Sequence, residues 1–117
     1  MQELLFLNEE DLFRLGSDDP KPYIEAVEEA FVLHSTGQYI QPLKLYLRWD
    51  NNKNRINLMP SALTSNKYPL IGVKIVTSVP ENPLLRQLPR GQSILMLYSL
   101  IDGSPIALLA GTKISAM

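Results

Sequence analysis

The hydrophobic pattern of this chain passes from helical to strand period at Gly37, and that change constrains the fold more than any other feature. Before it, Tyr23, Ile24, Val27, Ala30, Phe31 and His34 recur at helical spacing on one face. On the same helix, Glu25, Glu28 and Glu29 are expected to point outward. After it, Leu43, Leu45, Leu47 and Trp49 alternate with Lys44, Tyr46, Arg48 and Asp50, the period of two of a half-buried strand. The 117 residues amount to one domain. Helices in front and strands behind predict an α+β fold.

Local signals fill in the elements. Leu4 to Leu7 predicts a short strand, and Asn8 stands as an N-cap before Glu9, Glu10 and Asp11, acids that suit the first turn of a helix. That helix runs to about Leu15 and is stopped by Gly16. Ser17 to Pro20 is a turn, Pro22 fits the start of a second helix, and Gly37 suits its C-terminal cap. Asn51 to Asn54 reads as a hairpin turn, with Arg55 to Met59 as the returning strand. Ile71, Val73, Ile75, Thr77 and Val79 share one face of the next strand. Pro80, Pro83 and Pro89 bracket an irregular loop. Ser93 to Ile101 and Pro105 to Ala110 are strands joined by the Asp102-Gly103 turn. The expected sum is two N-terminal helices packed on a mostly antiparallel sheet of about six strands. Gly111 to Met117 reads as the first turn of a further helix, so residues 1–117 are expected to be the front lobe of a longer protein.

Charge and composition exclude whole classes of function. Eleven basic and twelve acidic residues give a net charge of −1, which argues against a nucleic-acid or anionic-membrane binder. The balance hides a split. Through Gly37 there are nine acids and two bases, hence −7; beyond it, nine bases and three acids, hence +6. There is no cysteine and a single histidine, His34, which leaves no material for a disulfide, a thiolate or histidine metal centre, or a Ser-His triad. No metal site is expected. The N-terminus is too short and acidic for a signal peptide, and no apolar run approaches the roughly 18 residues of a membrane helix. These absences lead to the expectation of a soluble, cytoplasmic domain.

Few residues are placed to carry chemistry. Lys44 and Lys74 are bases on strands with apolar neighbours on both sides, a setting that suits gripping a carboxylate. The same pattern also fits lysines that decorate the solvent face of a half-buried sheet. Arg48 and Arg55 flank the hairpin as surface charges. Met59, Arg90 and Gln92 are candidate pocket-loop positions, Arg90 and Gln92 within Pro89-Arg90-Gly91-Gln92. His34 is expected to be packed or to face the helix dipole. Glu81 has no partner carboxylate for paired-acid chemistry. All six glycines are isolated, so no phosphate-binding loop lies in these residues.

A colinear set of segments resembles the N-terminal lobe of the ornithine cyclodeaminase/mu-crystallin family. The set comprises Asn8-Glu9-Glu10-Asp11-Leu12, Ala26-Val27-Glu28-Glu29-Ala30-Phe31, Gln41-Pro42-Leu43-Lys44 and Leu58-Met59-Pro60. It continues with Gly72-Val73-Lys74-Ile75-Val76, Pro80-Glu81-Asn82-Pro83, Leu88-Pro89 and the run from Gly103 to Thr112. The resemblance implies a homodimer whose N-terminal sheets pair, and a following Rossmann domain, absent from this chain, that binds NAD or NADP. It implies hydride exchange at the α-carbon of an amino acid or cyclic imine, with the substrate carboxylate held at Lys44 and Lys74. On that reading residues 1–117 hold no catalytic residue, bind no cofactor and turn nothing over by themselves. A non-catalytic dimerisation or small-ligand-binding module is the alternative. Arg90-Gly91 departs from the Ser/Thr-His that often follows Leu-Pro in the family, so ornithine is not assumed as substrate.

Overall fold

The computed structural model describes residues 3–116. In chain order the elements are β1 (Leu5–Leu7), α1 (Glu9–Arg14), α2 (Pro20–Ser35), β2 (Tyr39–Ile40), β3 (Leu45–Trp49) and β4 (Asn54–Thr64). They continue as β5 (Pro69–Ser78), α3 (Asn82–Leu85), β6 (Gly91–Ser99), β7 (Pro105–Ala110) and α4 (Thr112–Ala116). One sheet takes all seven described strands in the order β1-β7-β6-β5-β4-β2, with β3 also paired to β4. Every pairing is antiparallel except β1 with β7. The α+β architecture is as the sequence implies.

The helix punctuation follows the predicted chemistry. Asn8 Oδ1 accepts from the Asp11 N–H at 2.9 Å, and Asp11 Oδ2 accepts from the Asn8 N–H at 3.0 Å, a reciprocal capping box. Asn8→Ala should therefore cost about 1 kcal/mol in a denaturant melt. Asp19 caps α2 through the Lys21 N–H, and Gly16 and Gly37 take the left-handed conformations that end the two helices. The β3–β4 turn places Asp50, Asn51 and Asn52 all at positive φ, the residue types that tolerate it best after glycine.

Three features differ from expectation for stateable reasons. Pro60 lies inside β4 and does not end it. The Thr64 N–H donates to the Gln38 carbonyl, so even-numbered residues of β4 turn their N–H groups toward the β2/β3 edge. Pro60 falls where that edge is open between β2 and β3, so its missing donor deprives the ladder of nothing. The proline-rich loop contains the short helix α3, held by Asn82, which is buried: its Nδ2 donates to the Pro89 carbonyl and its Oδ1 accepts from Arg86. Finally, Glu29 does not point away from the lobe. It accepts from Lys67 Nζ and from the Tyr68 hydroxyl, both at 3.2 Å, which ties α2 to the β4–β5 turn. The helical face that includes Ile24, Val27 and Phe31 stays exposed instead.

The basic half of the chain is partly neutralised by these contacts. Lys53 pairs with Glu81 and Asp50, Lys67 with Glu29, and Lys113 with Asp18. Glu81 first, then Asp50, holds the Lys53 ammonium above its ordinary value of 10.5. A raised lysine value contributes fully at neutral pH and is lost only as pH rises through it. The hairpin tether should thus persist across the neutral range, and Glu81→Gln should speed amide exchange at the β3–β4 turn.

Gly111, between β7 and α4, marks a tight joint. A Cβ there would stand 2.6 Å from Ser93 Oγ and 3.3 Å from the Leu95 nitrogen. Gly111→Ala should destabilise by about 1–3 kcal/mol. Ser93→Ala should be nearly neutral alone, since the buried Ser93 Oγ has no partner among the described residues. It should recover part of the Gly111→Ala loss in a double-mutant cycle of denaturant melts.

Few side chains are sealed from solvent. Only Leu12, Ala62 and Ala107 form a buried apolar set among the described residues, and no large side chain there is fully buried. On one sheet face, strand alternation aligns Leu45, Leu58, Ile75 and Ile94 in a single cross-strand row. Leu45 and Ile94 at its two ends are 64% and 47% exposed. No helix is long and apolar enough to cross a membrane among the described residues.

Candidate functional site

The opposite face of the same sheet carries the lysines. Met59 pairs with Lys74 across β4 and β5, and Lys74 pairs with Leu95 across β5 and β6. Extending the β3–β4 register one step beyond Leu45↔Leu58 sets Lys44 opposite Met59. Lys44, Met59 and Lys74 therefore form one row, with side chains on one face because directly opposed residues project together. Lys74 is half-buried, its stem flanked by Met59 and Leu95 across the strands; Lys44 is exposed.

The interruption of the edge strand makes the space beside this row. β2 and β3 follow the same edge of β4 with registers that differ by one residue, and residues 41–44 between them belong to neither strand. Pro42 and Pro60, neither of which can donate a backbone hydrogen bond, both fall in this interval. A cavity of about 360 Å³ results, lined by Gln41, Pro42, Leu43, Lys44, Met59, Pro60 and Ser61. It combines an apolar wall with one cation, a composition suited to a small molecule bearing a carboxylate. Another cavity, of about 290 Å³ and bounded by Leu12, Leu15, Pro22, Tyr23, Ala26 and Ile114, is almost wholly apolar and lies among the helices.

The other candidate residues are distributed unevenly. Met59 joins the lysine row. Arg90 stands at the end of the same face, with its Nε 3.4 Å from Ser78 Oγ. Gln92 pairs with Thr77 and by alternation projects from the opposite face, so it is not brought to the lysines. His34 stacks on Tyr39 with ring centroids 4.1 Å apart, a packing role. No group of acids and histidines that could hold a metal occurs among the described residues.

The sequence reads Arg48 and Arg55 as surface charges that flank the hairpin. The register places them directly opposite each other on the lysine face. The signal was available: a turn at residues 50–53 dictates the pair Trp49↔Asn54 and, one step outward, Arg48↔Arg55. Asn57, on the row between the arginines and the lysines, was also passed over. It is 9% exposed and its Oδ1 accepts no hydrogen bond among the described residues.

The fold is an α+β lobe with two lysines on one sheet face beside a small cavity, and comparison supplies the family. The ornithine cyclodeaminase/mu-crystallin family model matches residues 18–117, and the chain belongs to that family. It is 32% identical over 120 residues to the N-((2S)-2-amino-2-carboxyethyl)-L-glutamate dehydrogenase of Staphylococcus aureus, covering 99% of this chain and 35% of that protein. It is 33% identical over 115 residues to the alanine dehydrogenase of Archaeoglobus fulgidus, covering 98% of this chain and 33% of that one. Among solved structures, the Thermococcus litoralis Δ1-pyrroline-2-carboxylate reductase in complex with NADH and L-proline superposes with a TM-score of 0.86 at 33% identity. That superposition covers 97% of this chain and 33% of the reductase. The chain thus spans about a third of the length of the relatives it matches.

The residues present do not fit a dinucleotide. The described sheet has no parallel βαβ unit opening on a glycine-rich turn, since its one parallel pair joins the first and last strands.

Proposed function

We propose that this chain is the substrate-binding and dimerisation lobe of an NAD(P)-dependent enzyme that exchanges hydride at the α-carbon of an amino acid or cyclic imine. Lys44 and Lys74 hold the substrate carboxylate. The observation that carries this reading is their placement, with Met59, on one row of one sheet face beside the 360 Å³ cavity. A half-buried ammonium with a second one on the same row attracts a carboxylate more strongly than an isolated surface lysine does. The dehydrogenase and reductase activities of the relatives support the reaction class. The apolar face on the other side of the sheet supports pairing with a second copy, and the cytoplasm suits such metabolism.

By this account the lobe binds and orients but turns nothing over alone, because the hydride carrier lies elsewhere. The test is an assay of the chain joined to its downstream sequence, following amino-acid- or imine-dependent change in NAD(P)H absorbance. Turnover in the joined protein and none in the lobe is expected. Absence of turnover with small, basic and acidic amino acids and with cyclic imines would refute the enzyme reading and leave the non-catalytic module.

A further inference from the structure

With no cysteine in the chain, oxidation of its sulfur falls on methionine. There are four methionines, and Met59 and Met96 are the two whose side chains the structure describes. Their surroundings differ. Met96 pairs with Val73 and Leu108, inside the apolar face of the sheet. Met59 is half-buried, pairs with Lys74 and borders the 360 Å³ cavity together with Lys44. One thioether therefore stands on a cavity beside a cation, and the other among aliphatic side chains.

Oxidation changes what Met59 offers to that cavity. A thioether is apolar and a weak acceptor, whereas a sulfoxide carries a strongly polar oxygen. Lys44 bears three N–H donors and has no ion-pair partner among the described residues. Its Nζ rests 5.6 Å from the Tyr46 ring centroid, a contact that leaves those donors available. Side chains directly opposed across two strands start with Cβ atoms about 5 Å apart. Both side chains are long and unbranched, so a sulfoxide oxygen on Met59 reaches the Lys44 ammonium within the space they share.

We propose that Met59 is an oxidation switch on the carboxylate site, thrown by a hydroperoxide. The sulfur lone pair attacks one peroxide oxygen; an S–O bond forms and the O–O bond breaks. Sulfur loses two electrons and the peroxide gains them. The departing hydroxide removes the proton from the transferred oxygen and leaves as water. The sulfoxide oxygen then accepts from Lys44 and takes the place of the substrate carboxylate. The chemistry at sulfur needs no substrate, but its consequence rests on the reading of Lys44 and Lys74 as the carboxylate site.

Peptide mass mapping of the chain after graded exposure to hydrogen peroxide reads the first step. Met59 should form sulfoxide at least about threefold faster than Met96. Titration with L-alanine, followed by amide NMR, reads the second. The oxidised chain should bind at least about tenfold more weakly, the worth of one charge-assisted contact. The two methionine sulfoxide reductases, one for each epimer, should restore binding. Met96→Leu should respond to peroxide as wild type does. Met59→Leu, whatever its own starting affinity, should bind L-alanine equally before and after peroxide. Oxidation of Met59 no faster than that of Met96, or a Met59→Leu chain that loses affinity as wild type does, would overturn the proposal. Rapid oxidation of Met59 with no change in L-alanine affinity would also overturn it and leave the carboxylate site standing. If the unoxidised chain shows no saturable response at Lys44, Met59 and Lys74, the carboxylate reading itself fails and the switch falls with it.

Discussion

Ile94→Glu should convert a self-associated lobe to monomers. Leu45, Leu58, Ile75 and Ile94 line up across four strands, and the outer two remain about half exposed or more. Phe6 on β1 pairs with Leu108, which extends the same apolar face toward the far edge; Phe6 is 59% exposed. A sheet face of this kind is stable in water only if something covers it. Burying each such side chain against a second copy is worth about 1.5–3 kcal/mol. A carboxylate introduced at Ile94 would forfeit one such contribution and bury a charge without a partner. Association should weaken by about two orders of magnitude or more, since each 1.4 kcal/mol is tenfold. Sedimentation velocity of wild type and variant reads this directly. A wild-type chain that sediments as a clean monomer at high concentration would contradict the pairing.

Lys74→Ala should have the larger of the two lysine effects, and burial decides the order. A charge-assisted hydrogen bond in a partly desolvated place contributes about 1.5–3 kcal/mol, which corresponds to about 10- to 150-fold in substrate kcat/KM. Lys74 is half-buried, with its stem between Met59 and Leu95, so its loss should lie at the upper end of that range. Lys44 is exposed and shares its charge with the Tyr46 ring, so solvent screening should hold the cost of Lys44→Ala to about tenfold. Both should raise KM in the joined protein, since the carboxylate is bound equally in ground and transition states. Amines without a carboxylate should be insensitive to either change.

The parts of the fold that were legible in the sequence are those set by local chemistry. Asn8 with Asp11, Gly16, Gly37 and the Asp50-Asn51-Asn52 turn each answer a backbone demand within a few residues, and each stands where its residue type requires. What was not legible depends on neighbours distant in the chain. Pro60 reads as a strand end until one knows that its nitrogen faces an open edge. Glu29 reads as solvent-facing because helical periodicity sorts apolar from polar and cannot foresee Lys67 and Tyr68 arriving from the β4–β5 turn. The two-residue strand β2 is too short to show alternation at all. For the site, Lys44 and Lys74 stood out as bases among apolar neighbours, whereas their alignment through Met59 is a consequence of register over β3, β4 and β5. The charge split resolves in the same way. Glu29 of α2 meets Lys67 of the β4–β5 turn and Asp18 meets Lys113 of α4, while Arg48 and Arg55 stand on the lysine face.

The central claim is that this face recognises a carboxylate through Lys44 and Lys74. Titration of the chain with L-alanine and, separately, with ethylamine, which lacks only the carboxylate, isolates that group. The account predicts that L-alanine shifts the amides around Lys44, Met59 and Lys74 in a saturable way, that ethylamine does not, and that Lys74→Ala abolishes the response. Equal shifts with both compounds, or none at these residues with either, would contradict it.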